Sequence, residues 1–307
     1  MTRTSPIHPL ALATETVHAE RGHVIIGVRL DGASAVALKR GMELARVTAS
    51  ALTVAYVLPR RQRGAAPRQG WVGDLMSRRT RDLAARAAVQ RWALTEVGVA
   101  IPEDSLLIRF GEPAEQLAAT ATALCARLLI VGGRPYATSA RPAETTRRIV
   151  AKADCAVFVT GAGRAGAAMV VATDMGNPSL PVLAAVHELA EQLDRRVSVV
   201  HNVDSIQMDG AHYPLPSGMR ARVCGTRLDR LSEVVRRDDR VDDARVMHER
   251  DAATAILRAA RADDADVIVL GRRAAPGRTI GRVLEDARRS VLVVPIPHCD
   301  ALHGATQ

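Results

Sequence analysis

The chain reads as an α/β protein of two tandem doubly wound domains, each carrying a five-stranded parallel sheet. An internal repeat, apolar runs of strand length, and the helical patterns alternating with those runs lead to this reading. His23-Val24-Ile25-Ile26-Gly27-Val28-Arg29 returns 145 positions later as Ala168-Met169-Val170-Val171-Ala172-Thr173-Asp174, and at the same offset Glu43-Leu44-Ala45 falls on Glu188-Leu189-Ala190. Leu128-Leu129-Ile130-Val131-Gly132 meets Val267-Ile268-Val269-Leu270-Gly271 at an offset of 139. Repeats of this length are domains rather than solenoid modules. The strand runs are apolar nearly throughout, as strands covered on both faces must be. Strands alternating with helices imply right-handed crossovers and a parallel sheet.

Residues 1–21 read as an N-terminal tail, whose short apolar run Pro9-Leu10-Ala11-Leu12-Ala13 is too brief for a signal-peptide core. The first domain spans 22–160, with strands expected near 23–28, 52–58, 105–110, 127–132 and 155–159. A helix over about 34–48 would place Leu38, Met42 and Ala45 on one face. Residues 60–73 read as a loop and 74–96 as a helix with Met76, Leu83, Ala87 and Leu94 turned inward. Residues 161–167 form a linker. Its Gly161-Ala162-Gly163-Arg164-Ala165-Gly166 is a formal GxGxxG, but the next residues are a strand, so no helix N-terminus is available to hold a pyrophosphate. The second domain spans 168–297, with a helix over about 179–193 burying Leu183, Val186, Ala190 and Leu193. Residues 204–217 read as a loop and 218–237 as a helix. The run Asp238, Asp239, Asp242, Asp243 reads as a solvated turn before the third strand. Residues 298–307 form a C-terminal tail, in which His298, Cys299 and His303 lie close together without a fourth ligand.

Composition narrows the function. The chain has 307 residues, 48% hydrophobic and only 2% aromatic, so its cores are aliphatic. No apolar run approaches the roughly 20 residues needed to span a bilayer. Cys125, Cys155, Cys224 and Cys299 are scattered, which suits reduced thiols in a cytoplasm. Residues 1–160 hold 22 Lys+Arg against 13 Asp+Glu, and the whole net charge of +9 lies there. Between Arg60 and Arg91 stand nine Arg with only Asp74 and Asp82, a net +7 suited to nucleic acid, acidic lipid or an acidic partner, or more simply to a solvated surface, since Arg supplies all but two of the 42 basic residues. Base stacking needs aromatics, which are nearly absent, so nucleic acid is not expected. GxSxG, HExxH and Walker A signatures are all missing.

The motifs that remain carry a resemblance. Asp174-Met175-Gly176-Asn177-Pro178-Ser179 resembles the Asp-Gly-Ser-x-x-Ser turn of the universal stress protein family. Gly111-Glu112-Pro113-Ala114 resembles its Gly-x-Pro-Ala helix start, and Val291-Leu292-Val293-Val294 its last strand. Both copies follow the family's order of elements, so the chain resembles a tandem member with the adenine nucleotide alpha hydrolase-like fold. In nucleotide-binding members the first-strand Asp lies at the adenine and ribose end, and a Gly-x2-Gly-x9-Gly-(Ser/Thr) loop wraps the phosphates. Asp174 matches that Asp, and copy one has Arg29 instead. In the phosphate loop of copy two, Ala274 stands at the second glycine, the loop is several residues short, and Gly277-Arg278 or Gly281-Arg282 replaces Gly-Ser.

The resemblance implies a cytoplasmic stress-response or regulatory module, with no catalysis beyond slow ATP hydrolysis. It places ATP or another adenine nucleotide, weakly held, in the second domain at Ala172, Asp174, Gly271, Arg272, Gly277, Arg278 and Gly281, with Arg273 also available for phosphates. No metal is expected. The expected partners are the two copies themselves as an intramolecular pseudo-dimer meeting through their last strands, further copies as a homo-oligomer, and a protein not identifiable from sequence. The alternative is a protein-interaction scaffold that binds no nucleotide.

Overall fold

The structure is a computed structural model and describes residues 22–59, 78–133, 144–161, 166, 168–175, 179–203, 205–208, 211–214, 216–236, 241–273 and 276–296. In the first half the elements run β1 (His23–Val28), α1 (Gly32–Val47), β2 (Ala51–Leu58), α2 (Arg78–Glu96), β3 (Leu106–Phe110), α3 (Pro113–Ala123), β4 (Ala126–Gly132), α4 (Glu144–Lys152) and β5 (Ala156–Thr160). In the second they run β6 (Ala168–Ala172), α5 (Ser179–Leu193), β7 (Arg196–Asn202), a hairpin of β8 (Ser205–Met208) and β9 (Ala211–Pro214), α6 (Ser217–Arg236), β10 (Asp243–Met247), α7 (Ala252–Ala262), β11 (Val267–Arg272), α8 (Arg278–Asp286) and β12 (Ser290–Pro295).

Local signals start and stop these helices. Asp31 caps α1 by accepting from the Ser34 amide at 2.8 Å, and Asp251 caps α7 through the amide and hydroxyl of Thr254, each at 2.9 Å. Glu112 caps α3 just ahead of Pro113, whose missing N–H costs nothing in the first turn. Among the described residues, four helices end on a left-handed residue other than glycine, Ala49 after α1, Cys125 after α3, Asp194 after α5 and Asp264 after α7, and α2 ends on Gly98.

The strands join one ten-stranded sheet in the order β10-β7-β6-β11-β12-β5-β4-β1-β2-β3. Each half is parallel and doubly wound, and the halves join by antiparallel pairing of β5 with β12, where Phe158 lies opposite Leu292. Strand alternation splits the core between the two faces. Ile26, Phe158, Met169 and Leu292 lie in one cluster with α1, α2 and α5, and Ile25, Val157, Val170 and Val293 in the other with α3, α4, α7 and α8. Both clusters run through the seam without interruption.

Two local expectations give way. α2 buries Ala85, Val89 and Ala93, while Leu83 and Leu94 are 59% and 55% exposed and Ala87 is also exposed. Spacing alone allowed either stripe, and the helix turns its small residues to the sheet. Met76 lies outside the described residues. The expected loop after β7 holds the β8–β9 hairpin, with Gln207 opposite His212. At the linker the Gly161 amide donates to Ser290 Oγ at 3.1 Å, and a Cβ on Gly166 would stand 2.2 Å from the Asp264 carbonyl oxygen. The strand β6 follows directly, as the sequence argument against a dinucleotide turn requires.

Candidate functional site

In a doubly wound sheet the chain departs in opposite directions from two central strands, and ligands settle in the crevice at their carboxyl ends. In the second half that point lies between β6 and β11. Asp174 follows β6 and Arg273 follows β11. Arg273 Nη2 donates to Asp174 Oδ2 at 2.7 Å, with the two side chains 58% and 60% exposed. An exposed pair of this kind is worth about 0–1 kcal/mol, so a ligand can replace it at small cost. The turn beneath is held firmly. The Thr173 amide donates to the Val200 carbonyl at 3.0 Å, His201 Nδ1 lies 2.9 Å from the Thr173 carbonyl, and the Met175 amide donates to Thr173 Oγ1 at 2.9 Å.

The other wall is the start of α8. Gly277 caps it and has no side chain to accept from the first-turn amides, and nothing crowds its Cα. A helix start in this condition carries partial positive charge toward an anion. Arg278, the first helical residue, is exposed. Gly271 is closely packed: a Cβ there would stand 2.5 Å from Ile296 Cδ1 and 3.0 Å from Val182 Cγ2, so those side chains would have to shift. Ala172 packs half-buried against the core.

Two of the sequence-derived positions lie elsewhere. Arg272 is buried, and its guanidinium crosses the seam to donate to the carbonyls of Ala151 at 3.3 Å and Ala153 at 2.5 Å. Burial pulls its pKa down, and the nearby Asp154 carboxylate partly restores it. Gly281 lies under Arg147 of the first half, whose Nη2 would be 3.4 Å from a Cβ there. Ala172, Asp174, Gly271, Gly277 and Arg278 thus share the carboxyl edge of the second sheet, and Arg272 and Gly281 belong to the seam.

The matching crevice of the first half lies between β1 and β4 and is arranged differently. Asp31 is both the cap of α1 and the partner of Arg29 at 3.0 Å, and the Arg29 amide donates to Ser34 Oγ at 2.9 Å. A Cβ on Gly132 would lie 2.8 Å from the backbone carbon of Ala33, so the first turn of α1 rests on the end of β4.

Most of the basic segment, residues 60–77, lies outside the described residues. Within α2, Arg78 and Arg81 lie over the Phe110 ring at 5.3 and 5.5 Å, and Arg86 pairs with Asp82 at 2.8 Å. Among the described residues no three His, Cys, Asp or Glu gather as metal ligands, and no helix is long and apolar enough to cross a membrane. His298, Cys299 and His303 lie outside them.

The sequence model of the universal stress protein family matches residues 20–161 and again 168–295. A putative universal stress protein from Pseudomonas aeruginosa UCBPP-PA14 is 21% identical, with 91% of this chain and 94% of that chain covered and a TM-score of 0.59. A universal stress protein from Archaeoglobus fulgidus DSM 4304 is 11% identical over 91% and 98% of the two chains, with a TM-score of 0.60. A functionally unknown protein from Pseudomonas aeruginosa PAO1 is 19% identical over 91% and 93%, also at 0.60. At these identities the structural likeness speaks for the fold. No curated protein matches the chain.

Proposed function

The chain belongs to the universal stress protein family, and from that premise we propose that it is a cytoplasmic stress-response or regulatory binding module, not a catalyst. Its two halves work as a built-in dimer. The second half takes an adenine nucleotide weakly in the β6–β11 crevice, and the first half takes none. The observation that carries this reading is the difference between the two crevices. Asp174 offers a carboxylate for a ribose hydroxyl or an adenine amine, and Arg273, Arg278 and the α8 start offer positive charge for phosphates. In the first half, Arg29 stands at the position matching Asp174 and offers no acceptor, and the first turn of α1 rests on Gly132. The described cysteines Cys125, Cys155 and Cys224 are free thiols, in keeping with a reducing compartment.

Calorimetric titration of ATP, ADP and AMP into the wild type and Asp174→Ala tests the nucleotide reading. The expected result is weak binding of at least one nucleotide, reduced in the variant by roughly tenfold, the loss of one hydrogen bond to a charged acceptor. No heat with any of the three, or equal affinity in the variant, overturns it. The scaffold reading then stands ahead, favoured by the Asp174–Arg273 ion pair across the crevice.

A further inference from the structure

The seam has symmetric strands and asymmetric filling. With Phe158 opposite Leu292, Val157 lies opposite Val293 and Val159 opposite Val291, so a local two-fold exchanges β5 and β12. Carried to the neighbouring elements, the same relation sets Gly133 against Arg272, and Ala287-Arg288-Arg289 against Ala153-Asp154-Cys155. On one side of the axis Arg272 fills the seam and caps the carbonyls of Ala151 and Ala153. On the other side Gly133 brings nothing. A Cβ there would stand 2.3 Å from the Thr160 carbonyl oxygen, so the backbone itself keeps a side chain out.

What remains on that side is a cleft of about 940 Å³ between the end of β5 and the helices α7 and α8. Arg258, Arg261, Arg288 and Arg289 line it, together with Glu249, Glu285 and Asp286. The acids are already matched: Glu249 by Arg258, Glu285 by Arg147 and Asp286 by Arg282. Arg289 is held by Asp264. Among the described residues, Arg261 and Arg288 are left without a carboxylate, and both are exposed on the cleft wall.

We propose that this seam cleft binds a compact polyanion carrying adjacent phosphates, with Arg261 and Arg288 as its charge contacts. The volume suits a small molecule, and guanidinium matches phosphate oxygens bidentately. Walls from both domains exclude part of the solvent, so charge contacts there are screened less than on an open surface. A ligand so held touches both halves and stabilises their joint folding by mass action. The site is separate from the β6–β11 crevice and does not depend on nucleotide binding there.

Isothermal titration with inorganic pyrophosphate tests the proposal, using the full chain as wild type, as Arg261→Gln/Arg288→Gln and as Arg273→Gln. Saturable binding is expected in the wild type; the cleft's share of it is weaker by roughly tenfold or more in the double variant and persists in Arg273→Gln, which removes a phosphate contact of the crevice. A second arm adds ADP to the Arg273→Gln protein loaded with pyrophosphate. Displacement assigns the phosphates to a nucleotide tail, and its absence to a free polyphosphate, and both support the cleft. No saturable binding, or binding indifferent to the double substitution, overturns it. Loss in Arg273→Gln with retention in the double variant also overturns it and moves the anion to the crevice. All three substituted arginines are exposed, so folding is not at stake.

Discussion

Arg272 and Arg273 are adjacent in sequence and go to different places: one crosses the seam to the end of α4, the other meets Asp174 at the crevice. By sequence both are expected at phosphates. Successive residues of a strand alternate between faces, so only one of the two could have faced the crevice, and that much was legible. Which one it would be was not, because the answer depends on α4 arriving from the other half. Asp266 is a similar case. It stands just before β11 and is buried, with Oδ2 between Arg195 at 3.3 Å and Arg40 of the first half at 3.4 Å, and with Oδ1 unpartnered. Burial pushes this carboxyl above its ordinary value of 3.8, and the two arginines only partly pull it back. The fold therefore favours the protonated acid. Its contribution to stability is fully present below pH 3.8 and is lost as pH rises through the raised value. Asp266→Asn keeps the shape and removes the charge. The melting temperature of the variant relative to wild type should climb as pH goes from about 4 to 7, whatever its starting offset. A flat or falling difference across thermal melts at stepped pH would refute this.

At the scale of elements, the apolar strands and the start of α1 were plain because burial on two faces and capping leave strong marks in sequence. The left-handed turns were not, since nothing in Leu30, Ala49 or Cys125 announces a positive φ. Yet the six non-glycine residues in that region among those described form three pairs: Leu30 with Met175, Ala49 with Asp194, and Cys125 with Asp264. The offsets are those of the repeat, so the two copies share their awkward turns as well as their strands. Leu30 and Met175, at φ 61° and 60°, occupy the position where the family turn carries glycine. Ala49, at φ 47°, follows the cap of α1, where glycine is the residue that fits without strain. Ala49→Gly should therefore stabilise the protein by about 0.5–1 kcal/mol despite the added chain entropy. Gly98→Ala, at φ 78° in open space, should destabilise it by a similar amount. Urea denaturation of the pair of variants checks both signs, and a loss of stability in Ala49→Gly counts against the turn. α2 shows why its inward face was misread. Gln90 clamps the chain entering β3 by donating to the Ile101 carbonyl and accepting from its amide, and this contact over eleven residues turns Ala85, Val89 and Ala93 to the sheet.

For the molecule as a whole, the repeat made two domains legible, but not that they would share one core. Both hydrophobic clusters draw residues from each half, and Leu292 of β12 sits 3% exposed opposite the fully buried Phe158 of β5. Arg40 to Asp266, Arg147 to Glu285 and Arg272 to the end of α4 add polar ties along the same seam. Halves joined in this way should unfold together rather than in turn. The two tryptophans make that testable, because Trp71 and Trp92 both belong to the first half. Leu292→Ala removes a buried side chain from the second half and should cost about 2–5 kcal/mol through lost transfer energy and the cavity left behind. If the seam couples the halves, tryptophan fluorescence and far-UV circular dichroism will report one urea transition in the wild type. Both will shift to the same lower midpoint in the variant, although the reporter and the substitution lie in different halves. A tryptophan transition that stays in place while the dichroism splits into two steps would mean that the β5–β12 pairing holds the domains side by side without joining their stability.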